Sequence, residues 1–435
     1  MKKYILFILV FVCGISFSQN NPPAARAGKR VLLMNGIAHL GNGQVIENSY
    51  ISFANGKLEM VSPVQGIKLD LKSFDTIIEI EGKHVYPALI SANTILGLQE
   101  AESIRASSDY NEVGGINPNV RSLIAYNTDS KILPTVKTNG VLYTQCTPRN
   151  GLICGSSSIL ATEGWNWEDA VLKADDGIHI NFPKSIQKNG WWAEPEPSGK
   201  NTKFDEELSA LNNFFAEASS YCKSASGTFE NNVRFEAMRN VFGGTQNLYL
   251  HTNSAKDIVL AVNFAKKHNI KKPVIVGGKD AWKITSFLRE NKIPVMLNRL
   301  FDLPELSDDD VDITFRTPYL LQKDSVLFCL QMEGDMEAMQ SRNLPFLAGY
   351  SVAYGLTKEQ ALQSITLNAA KILGIDNLVG SLETNKVASL VISDGDLLDI
   401  KSNKVIAAFI NGKPVNLVNE QQLLYEKYKT KYGLK

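Results

Sequence analysis

The sequence predicts an α/β protein: a (β/α)8 TIM-type barrel that carries a small β-sandwich formed by its N- and C-terminal segments. Three observations lead there. The 435 residues, 44% of them hydrophobic, can fill one barrel-sized core and a smaller module. The middle of the chain repeats a strand-then-helix texture, which implies parallel strands joined by right-handed crossovers. Both ends instead alternate short strands with Asn-Gly dipeptides, at 55–56 and 411–412, and Asn-Gly favours two-residue hairpins.

The elements follow in order. Lys2 and Lys3 precede an apolar run from Tyr4 to Phe17, and Ser16 and Ser18 supply the small-x-small pattern of a cleavage site. Residues 1–18 are therefore expected to be a signal peptide, cleaved near Ser18, which leaves a periplasmic or secreted chain. The run is too short to span a bilayer. Val12 before Cys13 suits a lipoprotein site poorly. After a Pro-rich joint come "RVLLMNGIAHL", "VIENSYISFANGKLEMV" and "FDTIIEIEGK", strands whose partners are "ASLVISDG" and "KVIAAFINGKPVNL" near the other end. The sandwich is thus expected over 28–85 and 385–418, the barrel over 86–384, and a charged surface helix over 419–435.

Within the barrel, "GVLYTQCTP", "NLYLHTNS", "KKPVIVGG" and "IPVMLN" read as strands. "AKDIVLAVNFAKKHNI" has helical spacing. "TKEQALQSITLNAAKILG" reads as one helix with Thr357 as N-cap and Gly374 as its stop. The polar stretch 187–235 reads as an insertion or lid.

Forty-five basic residues balance forty-five acidic ones. No basic field exists to attract nucleic acid or anionic lipid, so a small-molecule substrate or ligand, or a protein partner, is expected. Cys146, Cys154, Cys222 and Cys329 have no Cys-x-x-Cys spacing. Small buried thiols are the simpler reading, although Cys146 and Cys154 flank "TPRNG" and could pair.

Functional residues of a barrel sit at the C-terminal strand ends. Those ends are "SANTI", "TPRNG", "LHTNS" and "VGGKD". They single out Asn93, Arg149 and His251. Arg149 could hold a substrate carboxylate by paired hydrogen bonds. "GSSS" at 155–158 lacks the Gly-x-Ser-x-Gly pattern of a nucleophile elbow and reads as a polar turn. The five histidines, His39, His84, His179, His251 and His268, are isolated along the chain.

"GKHVYPALISANTILGLQE", "INPNVRSLIAYNTDSKILPTVKTNGVLYTQCTPRNGLICGSSS", "LYLHTNSAKDIVLAVNFAKKHNIKKPVIVGGKDAWKI" and "RNLPFLAGYSVAYGLTKEQALQSITLNAAKILGIDNLVGSLETNKVASLVISDGD" together resemble the amidohydrolase superfamily, in its imidazolonepropionase-like branch. The resemblance implies a metal-dependent hydrolase of non-peptide, cyclic amide type carbon–nitrogen bonds. In that family the first barrel strand ends in His-x-His, two imidazoles on one face that bind a divalent metal. Here Asn93 and Ile95 stand in those positions, and alternation along an extended strand would give them a common face. His251 matches the family histidine of the fifth strand. Glu333 in "CLQMEGD" is the nearest match to the aspartate that serves as general base.

The expectation is therefore a hydrolase with degenerate metal-ligand positions and reduced or lost activity, with catalytic residues His251, Glu333 and Asn93. The alternative is an inactive pseudoenzyme that binds a ligand or partners an active homologue, as a homo- or hetero-oligomer. No cofactor is firmly implied. A zinc ion held by Asn93, His251 and Glu333 would be held weakly, because catalytic zinc typically has three good protein ligands.

Overall fold

The computed structural model describes residues 28–191, 194–224, 230–304, 306 and 308–434. The expected signal segment lies outside them.

The first five strands, β1 (Val31–His39), β2 (Val45–Ala54), β3 (Lys57–Pro63), β4 (Thr76–Glu79) and β5 (His84–Pro87), belong to a terminal sheet. The barrel begins with β6 (Leu89–Thr94), β7 (Val141–Cys146), β8 (Ile153–Ala161) and β9 (Val171–Asn181). A hairpin of β10 (Ile186–Trp191) and β11 (Glu194–Lys200) interrupts it. It resumes with β12 (Asn247–Thr252), β13 (Pro273–Gly277), β14 (Val295–Leu297) and β15 (Phe328–Leu330). Strands β16 (Leu390–Ser393), β17 (Val405–Ile410) and β18 (Lys413–Pro414) return to the terminal sheet.

That sheet runs β18-β17-β16-β5-β1-β2-β3, with β4 paired to β1, so the two chain ends are joined at β16 and β5. Its core includes Leu33, Ile51, Phe53, Leu58, Ile80, Val85, Leu390 and Phe409. Both Asn-Gly turns form. Asn55, Gly56, Asn411 and Gly412 all have positive φ, the region that type I′ hairpin turns require. The two turns also meet: a Cβ on Gly56 would lie 2.1 Å from Asn411 Oδ1.

The second sheet has eight strands in the order β15-β14-β13-β12-β9-β8-β7-β6, and a parallel bridge between Ala92 and Gln331 brings its edges together. One strand departs from the all-parallel expectation. β8 pairs antiparallel with both β7 and β9, because only a short turn, 147–152, separates it from β7. A parallel return would need a crossover of a dozen or more residues.

Two further expectations are corrected. The helix expected over 357–374 is two helices, Lys358–Ser364 and Leu367–Leu373. Thr357 does cap the first with a capping box, and Gly374 ends the second with φ +67. The break at Ile365 delivers its carbonyl to the backbone N–H of Ile90 in β6, which satisfies a strand donor that the barrel would otherwise bury unpaired. The stretch 187–235 is not wholly an insertion. The hairpin protrudes, but the helix Phe204–Lys223 buries Leu211, Phe214, Phe215 and Ala218 in the main core. The C-terminal helix, Glu420–Lys431, buries no residue, as its charge pattern predicts. All four cysteines of the described chain are free, and Cys146, Cys154 and Cys329 are buried.

Candidate functional site

Asn93 lies at the end of β6, Arg149 just beyond β7, His251 near the end of β12 and Glu333 just beyond β15. All four reach one mouth of the barrel, where they touch one another. Asn93 Nδ2 donates to Glu333 Oε2 at 2.9 Å. Arg149 donates through NH1 to Asn93 Oδ1 and through NH2 to the Asn93 carbonyl, the latter at 2.9 Å. His251 Nδ1 stands 4.0 Å from Glu333 Oε1.

The backbone explains why Asn93 reaches this cluster. Its φ is +48, a left-handed value that Asn tolerates better than most residues. The β6–β7 register is irregular between Ser91 and Thr94. Strict alternation therefore fails, and Asn93 and Ile95 do not share the site. Ile95 packs in the main hydrophobic core, and only its backbone N–H faces the cluster, donating to Glu337 Oε1 at 2.8 Å.

Glu337 was not legible as a site residue. It opens a short helix, Glu337–Gln340, and accepts from Arg149 NH2 at 2.7 Å. In this structure the Arg149 guanidinium is bonded to Asn93 and Glu337. Burial alone would weaken its hold on the proton, but Glu337 and Glu333 raise it above its ordinary value. Burial likewise pushes the Glu337 carboxyl up, against the pull of Arg149. For Glu333, burial is outweighed by Arg149, His251 and the Asn93 amide, which hold it below the usual carboxylate range.

The histidines are not isolated in space. His39 pairs with His84. Below the mouth, His251 Nε2 lies 2.9 Å from His179 Nδ1, and His179 Nε2 lies 2.8 Å from Ser157 Oγ. Ser157 donates to Asp176 Oδ1 at 2.7 Å, while Gln145 Nε2 and the Tyr249 hydroxyl donate to Oδ2. This chain fixes the ring protons. The Ser157 hydrogen is committed to Asp176, so His179 must donate through Nε2. Neutral His179 then accepts at Nδ1, so His251 donates through Nε2 and keeps a bare lone pair on Nδ1 at the mouth. Burial lowers the pKa of His251 to about 4, with Glu333 opposing and Arg149 assisting. His251 is therefore neutral at neutral pH, and its approach to Glu333 is not an ion pair. Burial also keeps His179 neutral.

The fold and the strand-end cluster define a barrel protein of the (β/α)8 type with a composite terminal sheet. The family model of the Amidohydrolase family matches residues 239–415. The match covers the second half of the barrel and the return to the terminal sheet.

A 95-residue stretch is 33% identical to an adenine deaminase from Desulforamulus reducens, covering 22% of this chain and 16% of that one. A 41-residue stretch is 54% identical to an imidazolonepropionase from Shewanella frigidimarina, covering 9% of this chain and 10% of that one. The chain thus spans only a small part of the length of these curated relatives. An amidohydrolase from Thermotoga maritima superposes with a TM-score of 0.76 at 24% identity, over 89% of this chain and 99% of that one. A molinate hydrolase superposes with a TM-score of 0.55 at 13% identity, over 90% and 95%. At these identities the superpositions establish the fold.

Proposed function

We propose that the strand-end site binds a small polar ligand carrying N–H donors, such as a cyclic amide, and does so without metal-assisted hydrolysis. The observation that carries this reading is the bond from Arg149 to Asn93 Oδ1. That oxygen is the one side-chain donor atom that Asn93 and Ile95 could offer a cation, and a guanidinium already holds it.

The remaining donors fit a divalent ion poorly. They are His251 Nδ1 and the Glu333 carboxylate, and a fixed positive charge stands beside them. Among the described residues no group of three or more His, Cys, Asp or Glu side chains could hold a metal ion, whereas catalytic zinc typically takes three protein ligands. The same atoms suit an N–H donor. His251 Nδ1 is a bare acceptor, and the Glu333 side chain is 31% exposed. Arg149 against Glu333 and Glu337 leaves the cluster with one net negative charge, which also favours a donor over an anion.

A metal-independent hydrolase is the second reading, favoured by the same lone pair on His251. General base catalysis is most efficient when the pKa of the base lies near the working pH. At about 4, His251 is a weak base at neutral pH, so binding is the better supported of the two. The signal-like pattern of residues 1–18 supports a periplasmic or secreted location as part of this proposal.

The test is dialysis of the purified chain against zinc and manganese, followed by metal analysis and titration with cyclic amides and their N-methyl counterparts. We expect less than about 0.1 metal per chain, given the two-donor set, with binding of the N–H forms, weaker binding of the N-methyl forms and no product. Stoichiometric metal with turnover would overturn the reading.

A further inference from the structure

A cavity of about 240 Å³ opens between the terminal sheet and the barrel helices. His39 at the end of β1 and His84 and Tyr86 of β5 line it from the sheet, Lys358 and Glu359 line it from the helix Lys358–Ser364, and Asp396 completes the wall. None of these residues belongs to the strand-end site.

The side chains form a wired cluster. His39 Nδ1 lies 2.7 Å from Glu359 Oε1, and His39 Nε2 lies 3.0 Å from His84 Nδ1. The His39 ring stacks on Tyr86 with centroids 4.4 Å apart. The carboxylate can only accept, so His39 carries a proton on Nδ1. In neutral His39 the Nε2 is then a lone pair, which takes the Nδ1 proton of His84. Burial and the neighbouring His39 hold His84 below its ordinary pKa. Neutral His84 therefore keeps Nε2 as an acceptor, and no donor among the described residues reaches it.

Glu359 leaves a second acceptor unused. Its Oε2 is buried without a hydrogen-bond partner, a condition that native structures rarely leave unexplained. The charges agree with the hydrogen bonding. Lys358 pairs with Asp396 at 2.6 Å, so the Glu359 charge remains in excess.

We propose that this cavity is a second binding site, for a small organic cation with at least two N–H donors, such as a guanidinium or primary ammonium compound. One donor would satisfy Glu359 Oε2 and another would meet His84 Nε2. The volume suits a ligand smaller than those of ordinary cofactor sites. This inference does not depend on the strand-end reading.

The test titrates the isotope-labelled full chain with methylguanidinium and with tetramethylammonium, following the ring nitrogens of His39 and His84. We expect methylguanidinium to shift both rings, and tetramethylammonium, which has the charge but no N–H, to bind at least about tenfold more weakly. Glu359→Gln should weaken methylguanidinium binding by about tenfold or more. His84→Phe, which keeps a ring beside Tyr86 but removes the acceptor, should also weaken it, and gives an independent readout if the first variant folds poorly. His251→Asn, at the other site, should leave the methylguanidinium shifts of His39 and His84 unchanged. Failure of methylguanidinium to bind, equal affinity for the two cations, or unchanged affinity in both cavity variants would overturn the proposal. Loss of the His39 and His84 shifts in His251→Asn would also overturn it, by showing that they report on the strand-end site.

Discussion

Arg149 grips Asn93 at two points, the side-chain oxygen and the backbone carbonyl, while its second amino group also reaches Glu337. A left-handed residue at the end of a barrel strand is thereby locked by a charge from the neighbouring strand. The lock supplies a positive charge at the mouth without any ion. It also fixes the carboxamide so that its amide group points to Glu333.

The lock is a buried charge pair, with side-chain exposures of 15% for Arg149 and 6% for Glu337. Removing one partner of such a pair leaves the other charge uncompensated. Arg149→Gln should therefore destabilise the fold by about 3 kcal/mol in urea unfolding. Arg149→Gln combined with Glu337→Gln should recover part of that loss. A single-variant cost near zero would show that the pair is solvated rather than locked.

His251 makes stability depend on pH. Its folded pKa is about 4 against an ordinary 6.5, so between those values the unfolded chain binds a proton that the folded chain refuses. Stability then falls as pH drops from 6.5 to 4 and levels off below, by about 3 kcal/mol for this group. Denaturant unfolding at pH 7 and pH 4 should show a larger acid loss in the wild type than in His251→Asn by roughly that amount. Parallel pH curves for the two proteins would remove the claim that His251 is buried neutral.

How much of this was legible in the sequence depends on whether the signal is local. The Asn-Gly turns were legible because the dipeptide itself supplies the left-handed angles. The direction of β8 was not, since "ICGSSSILA" reads as a strand whichever way it runs, and only the short turn before it sets the direction. Asn93, Arg149, His251 and Glu333 were legible as strand-end residues. Their mutual contacts were not, and neither were Glu337, His179 or Asp176, which reach the cluster by tertiary folding alone. His179 and His251 are 72 residues apart in sequence yet within hydrogen-bond distance. The face shared by Asn93 and Ile95 was misread because periodicity assumes an unbroken strand, and the φ of Asn93 breaks it.

The meeting of the two terminal hairpins has a direct test. Gly56 has φ +79, and an added Cβ would strike Asn411 Oδ1. Gly56→Ala combines a left-handed alanine with a steric clash, so it should cost more than about 1 kcal/mol in thermal or chemical unfolding. Gly43 also has positive φ, at +97, but an added Cβ there meets nothing within 4 Å. Gly43→Ala should therefore cost less. Equal costs would mean that the contact between the hairpins contributes nothing.

The buried chain beneath the mouth should control which nitrogen of His251 carries the proton. Ser157 is its hinge, because its hydrogen goes to Asp176 and its lone pair receives His179. In the wild type, nitrogen NMR at pH 7 should show His251 protonated on Nε2 alone. Ser157→Ala removes the acceptor for His179 Nε2, so neutral His179 gains nothing from that tautomer and is free to adopt the other. Once His179 carries its proton on Nδ1, it donates to His251 Nε2 and the His251 proton moves to Nδ1. The variant should then show a mixed or reversed tautomer, a loss of about 1–3 kcal/mol for the unsatisfied groups, and weaker binding of N–H ligands at the mouth, where the bare lone pair has gone. A structural defect alone would lower stability and leave the His251 tautomer in place, so the ring nitrogens separate the two explanations. Thr in place of Ser157 keeps the hydroxyl, and Ser157→Thr should retain the wild-type tautomer even if the added methyl group lowers stability.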